Sequence, residues 1–424
     1  MKTTISTEIE ATRRFLDELF ADAPLRQVGF RLWDGTAWPE AEPRAATVVL
    51  RHPGALRAMF SPGTEKALGE AYLHDDFEVE GDLEAAFEIA ESLAVQHGWK
   101  RILALAYHLH RLPEKDRKDA PATFGADDPE HSLRRDAEAV GFHYDVSNEF
   151  YQLWLDARMV YSCAYFTEPG AGLEAAQAAK LEYLCRKLRL RPGQEVLDIG
   201  CGWGGFALYA AEHHGVRVTG VTLSEAQARL AQARVRAAGR EAEVRILRQD
   251  YRTLRPGLEF DAIVSVGMAE HVGRDHLAEY FRTAGRLLRP GGTFLNHAIG
   301  EGYCYEASAG PSFIDAYVFP DSDLPPLPLV ARAAAEAGFE IRDVENLREH
   351  YALTLRHWVR RLEGAHEQAL AFVNEPTYRV WRVYMAGSAR GFARGRLAIY
   401  QTLLAKPDAA GEAHLPLTRR DWYG

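Results

Sequence analysis

A chain of 424 residues is longer than one hydrophobic core supports, since single cores stop growing near roughly 250 to 300 residues, so two domains are expected. Its 47% apolar, 11% aromatic and 26% charged residues exclude collagenous, disordered and coiled-coil classes. With 50 Lys and Arg against 60 Asp and Glu the net charge is -10, which opposes a general nucleic-acid role because phosphate binding needs a clustered positive surface.

In chain order, a helix is expected over Thr7 to Phe20, where acidic residues interrupt any signal-like apolar run. Strand-like ATVVL (46–50) and FEVEG (77–81) follow, then helix-patterned DLEAAFEIAESLAVQ, which together read as a small α+β domain over residues 1–110. Residues 111–134, including RLPEKDRKDAPATFGADDPEH, are dense in charge, Pro, Gly and Asp and are read as a linker. From 135 to 424 the short apolar strands EVLDIG, RVTGVTL, VRILRQD, FDAIVSVG and GTFLNHAIG alternate with helix-patterned sequence. That alternation predicts an α/β domain with a parallel sheet and helices on both faces. No apolar run reaches the ~18 residues of a membrane span, and Cys163, Cys185, Cys201 and Cys304 form neither a CxxC pair nor a zinc spacing. A soluble, cytoplasmic protein without a structural metal is expected.

Residues 195–205, EVLDIGCGWGG, form a strand that ends in glycines and runs into a helix. Gly200, Gly202 and Gly205 fit GxGxxG, which brings backbone N–H groups against a ligand but leaves the choice among nucleotide cofactors open. Asp198 stands two residues ahead of the first glycine. The next strand ends in VTGVTLS, without the acidic residue at its tip that a nicotinamide ribose asks for.

DxGCGxGG followed by GVTLS resembles the S-adenosylmethionine methyltransferase form of the Rossmann-like fold. The resemblance implies that Asp198 and the turn Gly200, Gly202 and Gly204 lie against the methionine part of the cofactor. It places Thr222, Leu223 and Gln227 on the ribose and adenosine side, Asp250 and Tyr251 at the adenine edge, and Tyr161 and Ser162 in the same cofactor set.

The segment HYDVSNEFYQLWLDARMVYSCAYF (143–166), with EHVG, NHAIG, FIDAYVFP and HYALTLRHW, resembles the cyclopropane-fatty-acyl-phospholipid synthase family, related to the mycolic acid cyclopropane synthases. The likeness runs from about Gly141 to Leu404, and LGEAYLHDDFEVEGDLEAAF is similar to that family's smaller lipid-associated domain. It implies transfer of the methyl carbon of S-adenosylmethionine to a cis double bond of a phospholipid acyl chain, with bound bicarbonate as the base for ring closure. The matching catalytic positions are Cys163, Glu270, His297, Ile299 and Tyr351. An alkene is a weak nucleophile, so such a reaction needs close alignment in a water-free pocket. Thiol, imidazole and phenol groups can hydrogen-bond an oxyanion while a carboxylate accepts its proton, and an aromatic ring such as Tyr351 steadies a cation. Taken singly, each of these residues also suits an ordinary packed core position, and His271 is read as structural.

Four positions depart from the family pattern: Ala226, Ala269, Ala298 and Ser388. Ala269 bears on the shape of the acyl pocket, Ala226 on cofactor contacts, and Ser388 stands where many members have Cys. A methylene- or methyl-branched product from the same cation, a small-molecule N-methyltransferase, and a non-catalytic lipid carrier with a relict cofactor fold are the competing readings. The resemblance further implies peripheral contact with the inner face of a membrane and allows a homodimer. YRVWRVYMAGSARGFARGR (378–396), with five Arg, no acidic residue and interleaved aromatics, suits a lipid interface or, equally, a packed amphipathic helix. Trp99 to Leu112 is a second candidate, or else an interdomain helix.

Overall fold

The structure is a computed structural model that describes residues 2–22, 24–39, 44–61, 63–93, 99–114, 131–144, 146–255, 257–305, 312–320 and 323–423. Residues 115–130 of the expected 111–134 linker lie outside the described residues. The chain forms two compact units. One takes 1–123, 308–318 and 374–390, and the other takes 124–307, 319–373 and 391–424. The sequence reading, one unit before the linker and one after it, did not assign the two later segments 308–318 and 374–390 to the first unit.

The first unit is built on a four-stranded sheet of β1 (Val28–Arg31), β2 (Ala37–Trp38), β3 (Ala46–Leu50) and β4 (Phe77–Gly81), in the order β2-β1-β3-β4. β3 and β4, both expected from their β-branched and aromatic alternation, pair antiparallel with Leu50 opposite Phe77. Asp82 ends β4 and caps the next helix by accepting the Glu84 and Ala85 N–H groups. The helix expected after it is two short ones, Leu83–Ala86 and Glu88–Leu93.

Of the two readings of the basic segment 378–396, the structure favours the packed amphipathic helix. Most of it lies in the helix Glu375–Arg394, where Trp381, Tyr384 and Met385 are buried. Arg379 is bonded to the Tyr72 carbonyl, Asp75 and Glu78, each at 2.9 Å. Arg382 reaches Glu78 at 3.0 Å and Arg390 reaches Glu91 at 2.7 Å. Composition records the positive charges but not their partners, and these partners lie some three hundred residues earlier in the chain.

The second unit carries a seven-stranded sheet of β5 (Glu195–Ile199), β6 (Arg217–Thr222), β7 (Val244–Arg248), β8 (Phe260–Val266), β9 (Leu288–Glu301), β10 (Glu340–Asn346) and β11 (Leu397–Ala405). Its order is β10-β11-β9-β8-β5-β6-β7. Strands β5 to β9 are the five read from the sequence, and they pair parallel. The sheet departs from an all-parallel one at β11, which runs antiparallel to both of its neighbours. From β5 the chain first builds outward through β6 and β7, then returns to add β8 on the other side. The carboxyl ends of β5 and β8 therefore flank the point where strand order reverses, where open α/β sheets hold their ligands. Two buried apolar clusters, one including Leu184, Val196 and Ala207 and the other Ile263, Phe281 and Phe294, pack helices against this sheet.

Candidate active site

The turn after β5 is decided by glycine. Gly200, Gly202 and Gly204 sit at φ +81, +53 and +78, a region that residues with a Cβ rarely adopt. The Gly200 and Cys201 N–H groups both donate to the Val221 carbonyl, which ties the turn to β6. Arg234 holds it from the other side by donating to the carbonyls of Trp203 and Arg158.

This turn opens onto one cavity of the second unit. Tyr161, Ser162, Asp198, Gly200 and Gly202 line it, as do Thr222, Leu223, Gln227, Asp250 and Tyr251. Gly204 does not; a Cβ there would meet Ala231 at 3.3 Å, and the adjacent Gly205 lines the cavity instead. His271, read as structural, borders the cavity as well. The Thr222 hydroxyl donates to Gln227 Oε1 at 2.7 Å and so orients that amide. Asp250 is already engaged: Arg252 reaches its carboxylate at 2.6 Å and Asp136 at 2.7 Å. Asp198 is buried and its Oδ2 has no partner among the described residues. Burial pushes its carboxyl up to about 7, against the opposing pull of Lys180. An unpartnered buried carboxylate oxygen and a Gly202 whose Cβ position faces open space fit a ligand with an ammonium group lying on the turn.

None of the five expected catalytic residues lines this cavity, yet the fold ties them together beside its wall. Cys163 Sγ lies 3.8 Å from the Leu347 carbonyl, which also accepts the Tyr351 N–H at 3.1 Å. Leu347 N–H donates to the Ile399 carbonyl, and Ile399 stands opposite Ile299 in the β9/β11 pairing. Ile299 N–H in turn donates to Glu270 Oε1 at 2.7 Å. His297, two residues along β9 and so on the same face, stands opposite Gln401. Residues 162, 268 and 271, neighbours of Cys163 and Glu270, do line the cavity.

The electrostatics separate their roles. Glu270 is buried, its Oε2 has no partner among the described residues, and burial pushes its carboxyl up to about 7 against the Ile299 hydrogen bond. His297 is fully buried and held well below the ordinary imidazole range, so it is neutral. Gln401 Nε2 approaches His297 Nδ1 at 3.4 Å as a donor, which leaves the ring proton on Nε2, itself without a partner. A buried acceptor and a buried donor are thus both unsatisfied in the same network. Burial pushes the Cys163 thiol far up, so it is no thiolate nucleophile.

Residues 131–402 match the family model of mycolic acid cyclopropane synthetase. The chain belongs to that family. It is an S-adenosylmethionine-dependent C-methyltransferase. Over 404 residues the chain is 42% identical to a probable fatty acid methyltransferase of Pseudomonas putida, covering 94% of this chain and 96% of the relative. Over 264 residues it is 39% identical to the cyclopropane-fatty-acyl-phospholipid synthase of Escherichia coli, covering 62% of this chain and 66% of that one. The crystal structure of a mycolic acid cyclopropane synthase complexed with SAH and CTAB superposes with a TM-score of 0.60 at 34% identity, over 63% of this chain and 97% of that chain.

Sequence reasoning did not single out three buried polar residues that touch the expected site residues or their segment. Gln401 orients His297 from a strand not recognised as one. Gln177 and Lys180, three apart on the helix Leu173–Lys187, are both buried and both bond the 160–162 segment. Their signal was available: two polar residues at helical spacing on the apolar side of a helix.

Proposed function

We propose that this methyltransferase converts a cis double bond of a phospholipid acyl chain to a cyclopropane, with bicarbonate as the base. The observation that carries the reading is the buried pair of unsatisfied groups, Glu270 Oε2 and His297 Nε2. Bicarbonate presents one O–H and an anionic carboxylate, so it can donate to a carboxylate acceptor and accept from an imidazole N–H. When bound, S-adenosylmethionine supplies the methyl carbon and bicarbonate supplies a base near neutral pH. The chain's part is positional. Glu270 and His297 fix the small base in one orientation, Gln401 keeps the imidazole proton on Nε2, and the packed ring of Tyr351, 4.7 Å from Phe392, offers an aromatic face to a carbocation. Asp198 and the glycine turn hold the cofactor, with water excluded by burial.

A second reading keeps the cofactor, cation and lipid and changes the fate of the proton, giving a methylene- or methyl-branched chain. The near full-length likeness to a probable fatty acid methyltransferase favours it over any small-molecule acceptor. Mass spectrometry of phospholipid fatty acids from cells expressing the protein, against an empty vector, tests both. A 14-dalton gain on monounsaturated chains that chromatographs as a cyclopropane is expected. The same gain as a branch selects the second reading, and no gain by a folded, cofactor-binding protein overturns both.

For access to lipid we propose the helix Trp99–His110 of the first unit. Its sequence WKRILALAYHLH holds no acidic residue, and Ile102, Leu103 and Tyr107 are 55%, 60% and 60% exposed. Arg101 anchors the other side by pairing with Glu18 and Asp22. The Arg111 guanidinium lies over the Tyr107 ring at 5.7 Å. Exposed apolar groups with flanking cations suit an anionic bilayer, whose charge an acidic chain would otherwise meet unfavourably.

A further inference from the structure

The residues that follow Cys163 belong to no strand, yet each backbone N–H from 164 to 166 has a partner. Ala164 donates to Thr354 Oγ1 at 3.0 Å, Tyr165 to the Ala176 carbonyl at 3.1 Å, and Phe166 to His350 Nδ1 at 3.0 Å. Two of these acceptors are side chains of the helix Arg348–Gly364, which also carries Tyr351. His350 and Thr354 stand four apart and so share one face of it. The Tyr165 ring lies flat on His350, with centroids 4.9 Å apart and planes 7° apart, and Phe166 stacks on His357 at 5.6 Å one turn beyond Thr354.

We propose that His350 and Thr354 are positioning residues of the base site: by clamping the 164 and 166 N–H groups they hold Cys163 in register with Tyr351. This rests on the bicarbonate reading and adds two residues that act through Cys163. Both acceptors are set for the task. The buried Thr354 hydroxyl donates to the His350 carbonyl at 2.7 Å, so its proton points along its own helix and its oxygen is left to accept from Ala164. Because the Phe166 N–H meets Nδ1, the ring proton of His350 sits on Nε2. Burial holds this imidazole below its ordinary range, against the opposing pull of Glu345 and Glu349, so Nδ1 stays an acceptor near neutral pH. The clamp also reaches Tyr351 from behind, since the Leu347 carbonyl that accepts the Tyr351 N–H lies 3.8 Å from Cys163 Sγ.

The test follows turnover of vesicles of unsaturated phosphatidylglycerol by the full chain as bicarbonate is added to carbonate-depleted buffer, beside calorimetric binding of S-adenosylhomocysteine. His350→Leu and Thr354→Val remove the two acceptors at similar size. Each is expected to raise the half-saturating bicarbonate concentration by about tenfold, the worth of one hydrogen bond, and to leave S-adenosylhomocysteine affinity within about twofold. His350→Asn, whose side-chain oxygen takes the place of Nδ1, and Thr354→Ser keep the acceptors and are expected to stay within about threefold of the wild type. The Thr354 pair carries the test if His350→Leu does not fold. Impairment of His350→Asn and Thr354→Ser equal to that of the other two, an equal loss of S-adenosylhomocysteine affinity, or wild-type behaviour in all four overturns the proposal and leaves the two residues a packing role alone. Wild-type turnover that ignores the removal of bicarbonate overturns the base reading instead; the clamp is then read in kcat, where the same split between the two kinds of variant is expected.

Discussion

Glu270 accepts the backbone N–H of Ile299 at 2.7 Å and leaves its second oxygen buried without a partner among the described residues. One oxygen therefore locks the carboxylate to β9, and the other is held ready for something the protein does not itself supply. A carboxylate that served packing alone would have both oxygens satisfied or would stand in water.

Glu270→Gln is expected to lower turnover by about a hundred- to ten-thousandfold, the range of a positioned acid–base group, and to leave S-adenosylhomocysteine affinity within about twofold. The amide keeps the acceptor for Ile299 but cannot take a proton. Single-turnover kinetics with added bicarbonate, paired with calorimetry, separate the effects. A variant of near-normal rate sinks the assignment of Glu270 to the base.

The same substitution changes how stability depends on pH. Burial raises the folded Glu270 carboxyl from 4.5 to about 7. A raised carboxyl takes up a proton on folding, so its contribution to stability is full below about 4.5 and is lost as pH rises through 7. Glu270→Gln removes this loss. In thermal unfolding of the ligand-free chain the variant is expected to match the wild type near pH 4.5 and to exceed it at about pH 8, by at most roughly 3 kcal/mol. An offset that does not change with pH contradicts the burial argument.

Gly202→Val is expected to abolish cofactor binding. At φ +53 a β-branched residue is strained, and its side chain enters the space that the turn leaves open. Calorimetry with S-adenosylhomocysteine reads the loss, and circular dichroism checks that the fold persists. Retained affinity means that the cofactor does not lie on this turn.

Membrane contact is expected to depend on the 99–110 helix and not on residues 378–396. Replacing both Leu103 and Tyr107 by Asp adds charge to an exposed face and should cut co-sedimentation with phosphatidylglycerol vesicles by about tenfold or more, as two buried apolar side chains are lost. Vesicle binding that survives this change moves the contact to another surface.

Features with local causes were legible in the residues alone. Strands β5 to β9 followed from apolar runs separated by helical periodicity, and the turn at 200–205 from glycines where no other residue is comfortable. Eight of the ten expected cofactor residues found on one cavity were legible for the same reason, since they lie at or just after the carboxyl ends of β5, β6 and β7, whereas Tyr161 and Ser162 lie in an irregular segment and came from the resemblance. Tertiary structure alone decided whatever depended on a partner far along the chain. Gln401 is opposite His297 because β11 inserts antiparallel beside β9, and neither strand announces the other. Lys180 belongs to the cavity because the 173–187 helix packs its polar residues inward against residues 160–162, and Asp250 is engaged because Arg252 bridges it to Asp136. The sequence left 378–396 open between a lipid interface and a packed helix, and the fold brought Asp75, Glu78 and Glu91 to Arg379, Arg382 and Arg390. Local backbone preference is written residue by residue, whereas the pairing of charges and hydrogen bonds depends on which distant segments the packed core brings within reach.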